Sequence, residues 1–425
     1  MKPETIALHA GYAGDPSTHA ATTPIYQTTS YTFDNTQHGA DLFNLAVPGN
    51  IYSRIMNPTN AVLEARMTAL EGGVGALAMA SGMAAITASI QAITRAGDNI
   101  VSTSQLYGGT YNLFAHTFPS QGIEARFADC RDHAGLEALI DDRTRAVFCE
   151  SLGNPAGNVV DLPRIAEIAH RHGVPLIVDN TVPTPLLCRV FDFGADIAVH
   201  SLTKYIGGHG TTIGGIIVDS GRFDWAAHRA RFPMLNEPDP SYHGVVYTEA
   251  LGAAAYIGRC RVVPLRNTGA ALSPMSAFQI MQGLETLALR MERHCANALQ
   301  VAGHLQKHPQ VRWVNYAGLA DSEYYEPCQR LLGGRASGIL SFGIEGGAAA
   351  GARFIDALQL ILRLVNIGDA KSLACHPAST THRQLNPAEL ATAGVSEDMV
   401  RISVGIEHID DIIADIDQAL AAAAG

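Results

Sequence analysis

Between residues 76 and 219, short apolar runs alternate with amphipathic stretches, and this alternation constrains the fold more than any other feature of the chain. The runs ALAMA (76–80), DNIVST (98–103), RAVFCE (145–150), PLIVDN (175–180), DIAVHS (196–201) and GGIIVD (214–219) each have the length and composition of a buried strand. The stretches between them, NPTNAVLEARMTALEGG, SGMAAITASIQAITRAG and DLPRIAEIAHRHG, space apolar residues three and four apart and end in glycine, as helices do. Strand and helix in strict succession predict an α/β fold with a mostly parallel sheet covered by helices on both faces. Residues 1–60 are rich in Thr, Tyr, Asn, Gly and Pro with little periodicity, which predicts an extended arm. A long helical pattern over 276–308 then introduces strands near 337–344, 361–366 and 399–404, and an amphipathic segment closes the chain. The expected organisation is an arm (1–60), a large α/β domain (61–260) and a smaller C-terminal α/β domain (261–425) joined by the long helix.

Charge and cysteine usage narrow the partners. A formal net charge of −11 provides no positive field to collect nucleic acid or anionic lipid, so neither is expected as a partner. The cysteines, Cys130, Cys149, Cys188, Cys260, Cys295, Cys328 and Cys375, show no paired spacing, which predicts small core residues in a reducing compartment. The start MKPETIALHAGY lacks the apolar core of a signal peptide, and the Ala-rich stretch Ala76–Ile93 is interrupted by polar residues; a cytoplasmic protein is expected.

Ligands of α/β sheets bind beyond the carboxyl ends of the strands, so the residues just after each run are the candidates. They are Ser81-Gly82-Met83 at a helix start suited to a phosphate, Tyr107-Gly108-Gly109, Asp179, and His200 to Lys204 in HSLTKYIGGHGTTIGG. Each has an ordinary alternative: Ser-Gly before a helix is commonly an N-cap, Asp after a strand a loop cap, Tyr an edge packing residue and Lys a solvated charge. Their combination at the ends of one sheet is what pyridoxal phosphate requires. That cofactor needs a lysine for a Schiff base, an acid facing the pyridine nitrogen, a phosphate anchor and a flat side chain against the ring. The amine must lose its proton to react, which favours burial and nearby positive charge. Ser201 and Thr203 add hydroxyls beside Lys204, and the glycines that follow leave backbone free for close approach.

VDNT with Asp179, HSLTKYIGGH with Lys204 25 residues further on, YSRIMNPT (52–59), ASGMAA (80–85), LYGGTY (106–111) and ESLGNP (150–155) together resemble the Cys/Met-metabolism enzymes of pyridoxal-phosphate fold type I. The resemblance extends over the whole chain. It implies that Lys204 binds the cofactor covalently, Asp179 meets the pyridine nitrogen and Tyr107 stacks on the ring. It places the phosphate at Ser81, Gly82, Met83, Ser201 and Thr203, and Asn154 near the ring's 3′ oxygen. It sends Tyr52 and Arg54 from the arm to a neighbouring subunit's cofactor, so that dimers share sites, with a homotetramer expected. Strand alternation in DMVRISVGIE puts Arg401 on the face opposite Val400, Ile402 and Val404. Composition alone favours a structural salt bridge there, whereas the resemblance makes Arg401 the arginine for the substrate carboxylate, with Ser372 and Tyr52 also assigned to the substrate.

Within the family, NEPDPSYHG (236–244), NIGDAKSLACHPASTTHRQL (366–385) and SVGIEHIDDI (403–412) resemble the branch that exchanges the acetyl group of O-acetylhomoserine for sulfide in methionine biosynthesis. Gly109 stands where γ-lyases often carry cysteine. Succinyl-donor, cystathionine-forming and γ-lyase activities remain alternatives at this point. Two departures, Pro183 in NTVPTP and Met275 in SPMSAF, stand where relatives carry other residues. A nucleotide-binding module lacks GxxxxGK[ST] and GxGxxG spacing, and a metal hydrolase lacks HExxH; HRH (170–172) reads as solvated or capping residues at a helix end, and no metal is expected.

Overall fold

The computed structural model describes residues 1–44, 46–380 and 394–424. Its larger sheet has seven strands, β1 (Gly75–Met79), β2 (Asn99–Thr103), β3 (Glu124–Ala128), β4 (Thr144–Glu150), β5 (Leu176–Asp179), β6 (Ile197–Ser201) and β7 (Gly215–Asp219), in the order β1-β7-β6-β5-β4-β2-β3. Pairings among β2 to β6 are parallel, while β7 lies antiparallel between β6 and β1. All strands but β7 therefore deliver their carboxyl ends to one edge, which is where the site lies.

Strand period divides the core. Ala146, Phe148, Ile177, Ile197 and Val199 join one apolar cluster, and Val147, Cys149, Leu176, Val178 and Ala198 join the other on the opposite face. The second cluster runs without a break through the helices after residue 274 into the smaller sheet. That sheet, β8 (Val311–Asn315), β9 (Ile339–Ile344), β10 (Leu362–Arg363), β11 (Leu373–Cys375) and β12 (Met399–Ser403), has the order β10-β11-β12-β9-β8 and is antiparallel except for β10 with β11.

Two expectations need correction. The arm region carries helices at Pro3–His9 and Thr36–Phe43, the latter capped by the Asn35 side chain on the His38 amide. The long helical pattern is two helices, Pro274–Glu285 and Leu287–Leu305, parted at Thr286. There the carbonyl of Gly283 is taken by the Thr286 amide and hydroxyl (both 3.2 Å) and by Arg290, so the helical ladder does not run on unbroken. His170 and His172 stand at the helix end as read, His170 exposed and His172 partly so, and also pair with Asp196 and Glu137 at 2.8 and 2.9 Å. Residues 381–385 of the stretch read as branch-specific lie outside the described residues. All seven cysteines are buried and unpaired, and among the described residues no helix is long and apolar enough to cross a membrane.

Candidate active site

A cavity of about 250 Å³ opens at the carboxyl edge of the large sheet and brings most of the candidate residues together. Ser81, Gly82 and Met83 form one wall, Ser201, Thr203 and Lys204 a second, and Tyr107, Asn154, Asp179 and Arg401 complete it. The first wall follows from local sequence. Ser81 Oγ accepts from the Ala84 amide at 3.1 Å and caps the Gly82–Gln91 helix, which leaves the amides of Gly82 and Met83 in the first turn without helical acceptors. Both neighbouring glycines are sterically required: a Cβ on Gly82 would lie 2.7 Å from Ser201 Cβ, and one on Gly215 would lie 2.0 Å from the Ser81 carbonyl.

Asp179 ends β5 beside Glu150, its register partner at the end of β4. Asp179 Oδ1 accepts from the Thr181 amide and hydroxyl at 3.0 and 2.5 Å, and Glu150 Oε1 accepts from the Tyr107 amide at 2.6 Å. Burial raises Asp179 above the ordinary carboxylate range, and burial together with the neighbouring Asp179 charge raises Glu150 well above it. Two like acids at one cavity wall call for a cationic or proton-bearing partner.

Lys204 Nζ donates to Asn366 Oδ1 at 2.6 Å. Burial first, and the Arg401 charge second, bring its amine down to about 8, against about 10.4 for a free lysine. Arg401 is buried, with Nη1 donating to Asn154 Oδ1 (3.2 Å) and Nη2 to the Asn366 carbonyl (3.1 Å); its Nε has no partner among the described residues. No carboxylate pairs with it among the described residues, contrary to the salt bridge that composition favours. The strand does turn Arg401 away from Val400 and Ile402, which are core residues.

Not every candidate reaches the cavity. Ser372 is fully buried elsewhere: its amide and hydroxyl are held by Glu407 at 2.6 and 2.9 Å, and its carbonyl accepts from Leu362, so it has nothing to offer a substrate. Tyr52 and Arg54 also stand outside it; Arg54 donates to the Arg266 carbonyl and lies 5.4 Å over the Tyr52 ring, which is 40 % exposed. Thr203 lines the cavity, but its hydroxyl exchanges hydrogen bonds with the Gly214 carbonyl and amide at 3.2 and 3.1 Å. Asn366 and Glu150 are cavity residues that sequence reasoning missed. Glu150 closes an apolar run just as Asp179 does, so the strand-end rule could have found it; Asn366 carried no signal beyond lying in a branch-specific stretch.

The donor set fits pyridoxal phosphate on the geometry alone: a lysine with a lowered pKa, an acid at a strand end, bare amides at a helix start and an exposed tyrosine ring share one cavity. The sequence profile described as Cys/Met metabolism PLP-dependent enzyme matches residues 4–421. The homocysteine synthase of Schizosaccharomyces pombe is 52% identical over 418 residues, covering 98% of this chain and 97% of that protein. The O-acetyl-L-homoserine sulfhydrylase of Leptospira meyeri is 51% identical, covering 99% and 97%. Among solved structures, one described as a Campylobacter jejuni O-acetylhomoserine (thiol)-lyase with N'-pyridoxyl-lysine-5'-monophosphate in its chain superposes with a TM-score of 0.96 at 43% identity, covering 99% of this chain and 100% of that one.

Proposed function

The chain belongs to the Cys/Met metabolism PLP-dependent enzymes, and from that membership we propose that it replaces the acetyl group of O-acetylhomoserine by sulfide, giving homocysteine and acetate. The observation that carries the assignment of roles is that one residue, Asn366, accepts from the Lys204 amine through its side-chain oxygen and from the Arg401 guanidinium through its backbone carbonyl, in one cavity.

Pyridoxal phosphate, when bound, supplies an electron sink for negative charge developing on the carbons of the bound amino acid. In this reading the Gly82 and Met83 amides and the Ser201 hydroxyl receive its phosphate, and the Thr203 hydroxyl joins them by giving up its bond to the Gly214 carbonyl; Asp179 faces the ring nitrogen, Tyr107 lies on the ring and Asn154 meets the ring hydroxyl. Arg401 presents its fork to the substrate carboxylate, supported by the unpartnered Nε and by the absence of a competing acid among the described residues. Lys204 would hold the cofactor at rest and, once displaced, its amine would carry one proton at a time: it takes the Cα proton, hands it on to the bound adduct, and is then free to take a Cβ proton. An amine with a pKa near 8 is neutral often enough to do so near neutral pH. The Cγ–O bond breaks with its electron pair going to acetate, a Cγ–S bond forms from sulfide, and the same amine returns the protons.

The assembly is proposed as a homotetramer of dimers that share sites, with Tyr52 and Arg54 serving the neighbouring subunit. Its support is that both stand outside their own chain's cavity and that the same arm exposes Phe33 and Phe43. The division into arm, 61–260 and 261–425 units is proposed on the two separate sheets, and a cytoplasmic setting on the unpaired cysteines. Steady-state turnover of O-acetyl- and O-succinylhomoserine with sulfide tests the reaction, scoring homocysteine against 2-oxobutanoate. Homocysteine from the acetyl donor should dominate; equal yields from both donors, or mainly 2-oxobutanoate, would refute it.

A further inference from the structure

Arg290 lies in the first turn of the Leu287–Leu305 helix, 5 % exposed, and among the described residues its guanidinium bonds only to neutral acceptors. Burial pulls the guanidinium down to about 10, and among the described residues no acid pairs with it. Nη1 donates to the Tyr205 carbonyl at 2.6 Å, Nη2 to those of Ile206 (3.3 Å) and Gly283 (2.5 Å), and Nε to Thr286 Oγ1 at 3.1 Å. Two of these acceptors are the carbonyls that directly follow Lys204.

The turn is shaped around this group. Gly208 has φ +71°, and a Cβ there would sit 2.2 Å from Arg290 Nη1; a Cβ on Gly283 would sit 2.0 Å from the Gly207 carbonyl. The bare glycines after Lys204 thus admit the linking helices of the same chain. On the other side, the Ala370 amide donates to the Gly208 carbonyl at 2.8 Å, and a Cβ on Gly368 would lie 2.5 Å from the Tyr205 amide. The lysine turn is held between a guanidinium on one side and the 366–370 loop on the other.

A buried cation without a counter-charge is costly to keep, and it is tolerated where its donors are met by fixed acceptors. We infer that Arg290 is a positioning residue for Lys204: by fixing the Tyr205 and Ile206 carbonyls it sets where the lysine side chain leaves its turn. The inference rests on Lys204 being the reacting amine. Proton transfer needs hydrogen-bond reach, and a misplacement of about 1 Å can cost about 10²-fold in rate. A lysine at 290 would keep the charge but could not span three carbonyls, because an ammonium lacks the planar fork.

The test uses the holoenzyme with Arg290→Lys and Arg290→Met, and the charge-keeping variant serves if the neutral one does not fold. For Arg290→Lys, kcat per bound cofactor should fall about tenfold, KM for O-acetylhomoserine and sulfide should stay within about twofold, and the Cα-deuterium isotope effect on kcat should rise. A readout free of turnover comes from trace acetylation of the cofactor-free protein. The chain has four lysines, Lys2, Lys204, Lys307 and Lys371, so the exposed Lys307 is an internal reference. Measured well below both melting transitions and at reagent concentrations where labelling outside the folded state is negligible, the Lys204:Lys307 labelling ratio should shift at least about twofold in the variant. Unchanged kcat per cofactor, isotope effect and labelling ratio, with only a lower melting temperature, would overturn the inference. Reduction of the wild type with borohydride separates the two readings: cofactor found off Lys204 sinks the lysine assignment, whereas cofactor on Lys204 with an unaltered Arg290→Lys protein sinks only the role of Arg290.

Discussion

The two faces of the large sheet reach the same edge with opposite arrangements of charge. Toward the cavity, Glu150, Asp179 and Ser201 follow Phe148, Ile177 and Val199 along their strands. Behind the sheet, one residue out of step, His200 meets Glu71 at 2.7 Å with both side chains fully buried. Glu71 Oε1 also accepts from Asn180 Nδ2 at 3.1 Å, and Asn180 Oδ1 accepts from Ser151 at 2.8 Å. Neighbours in sequence, 179 beside 180 and 200 beside 201, are thus sent to different tasks by the two-residue strand period. Burial of an acid is not what distinguishes the site. The distinction is pairing: the rear acid is hydrogen-bonded to a histidine, while among the described residues the two front acids accept hydrogen bonds from backbone and hydroxyl donors, with His200 acting on Asp179 through charge alone.

Single substitutions can break this contrast. Lys204→Ala should have the largest effect, lowering turnover on the order of 10³-fold or more and abolishing the visible cofactor band, as read by steady-state assay and absorbance. Glu71→Ala should act on stability instead. Leaving His200 buried without its partner costs about 3 kcal/mol, seen in chemical denaturation, while kcat per folded, cofactor-bearing molecule changes less than about threefold. Asp179→Asn should reverse that pattern, with turnover falling about 10²-fold, roughly 2.7 kcal/mol in barrier, and no loss of stability in the cofactor-free protein.

The smallest effect is a pH slope. The folded pKa values of Glu150 and Asp179 are raised, so above the ordinary carboxylate range the folded state binds more protons than the unfolded one. Their contribution to stability is therefore present at low pH and lost as pH rises through the raised values. The melting temperature of the cofactor-free protein should carry a downward slope there, and Glu150→Gln should flatten it. An unchanged slope would mean that the two acids do not interact across the cavity as their register implies.

Much of the front face was legible in the sequence. Asp179, Lys204 and Tyr107 follow apolar runs, and the alternation around Arg401 gave its face correctly. The rear face was not legible, because nothing in the sequence links Glu71 to His200 across 129 positions; only the packing of the Pro58–Glu71 helix on the sheet does. Asn366 was hidden for the same reason, lying 162 positions from Lys204 in an irregular loop. Ser372 misled because a hydroxyl in a motif-bearing loop resembles a ligand until its partner Glu407 is known. The break at Thr286 went unseen since Thr is tolerated in helices; the cause is competition for the Gly283 carbonyl, part of it from Arg290.

The claim on which the rest depends is that the amine at the cavity wall, and no other lysine, carries the cofactor. Borohydride reduction of the holoprotein followed by peptide mass mapping tests it directly, with Lys2, Lys307 and Lys371 as the alternatives. The account predicts a pyridoxyl phosphate adduct on the peptide containing Lys204 alone. An adduct on any of the other three, or a cofactor band that reduction leaves untouched, would contradict it.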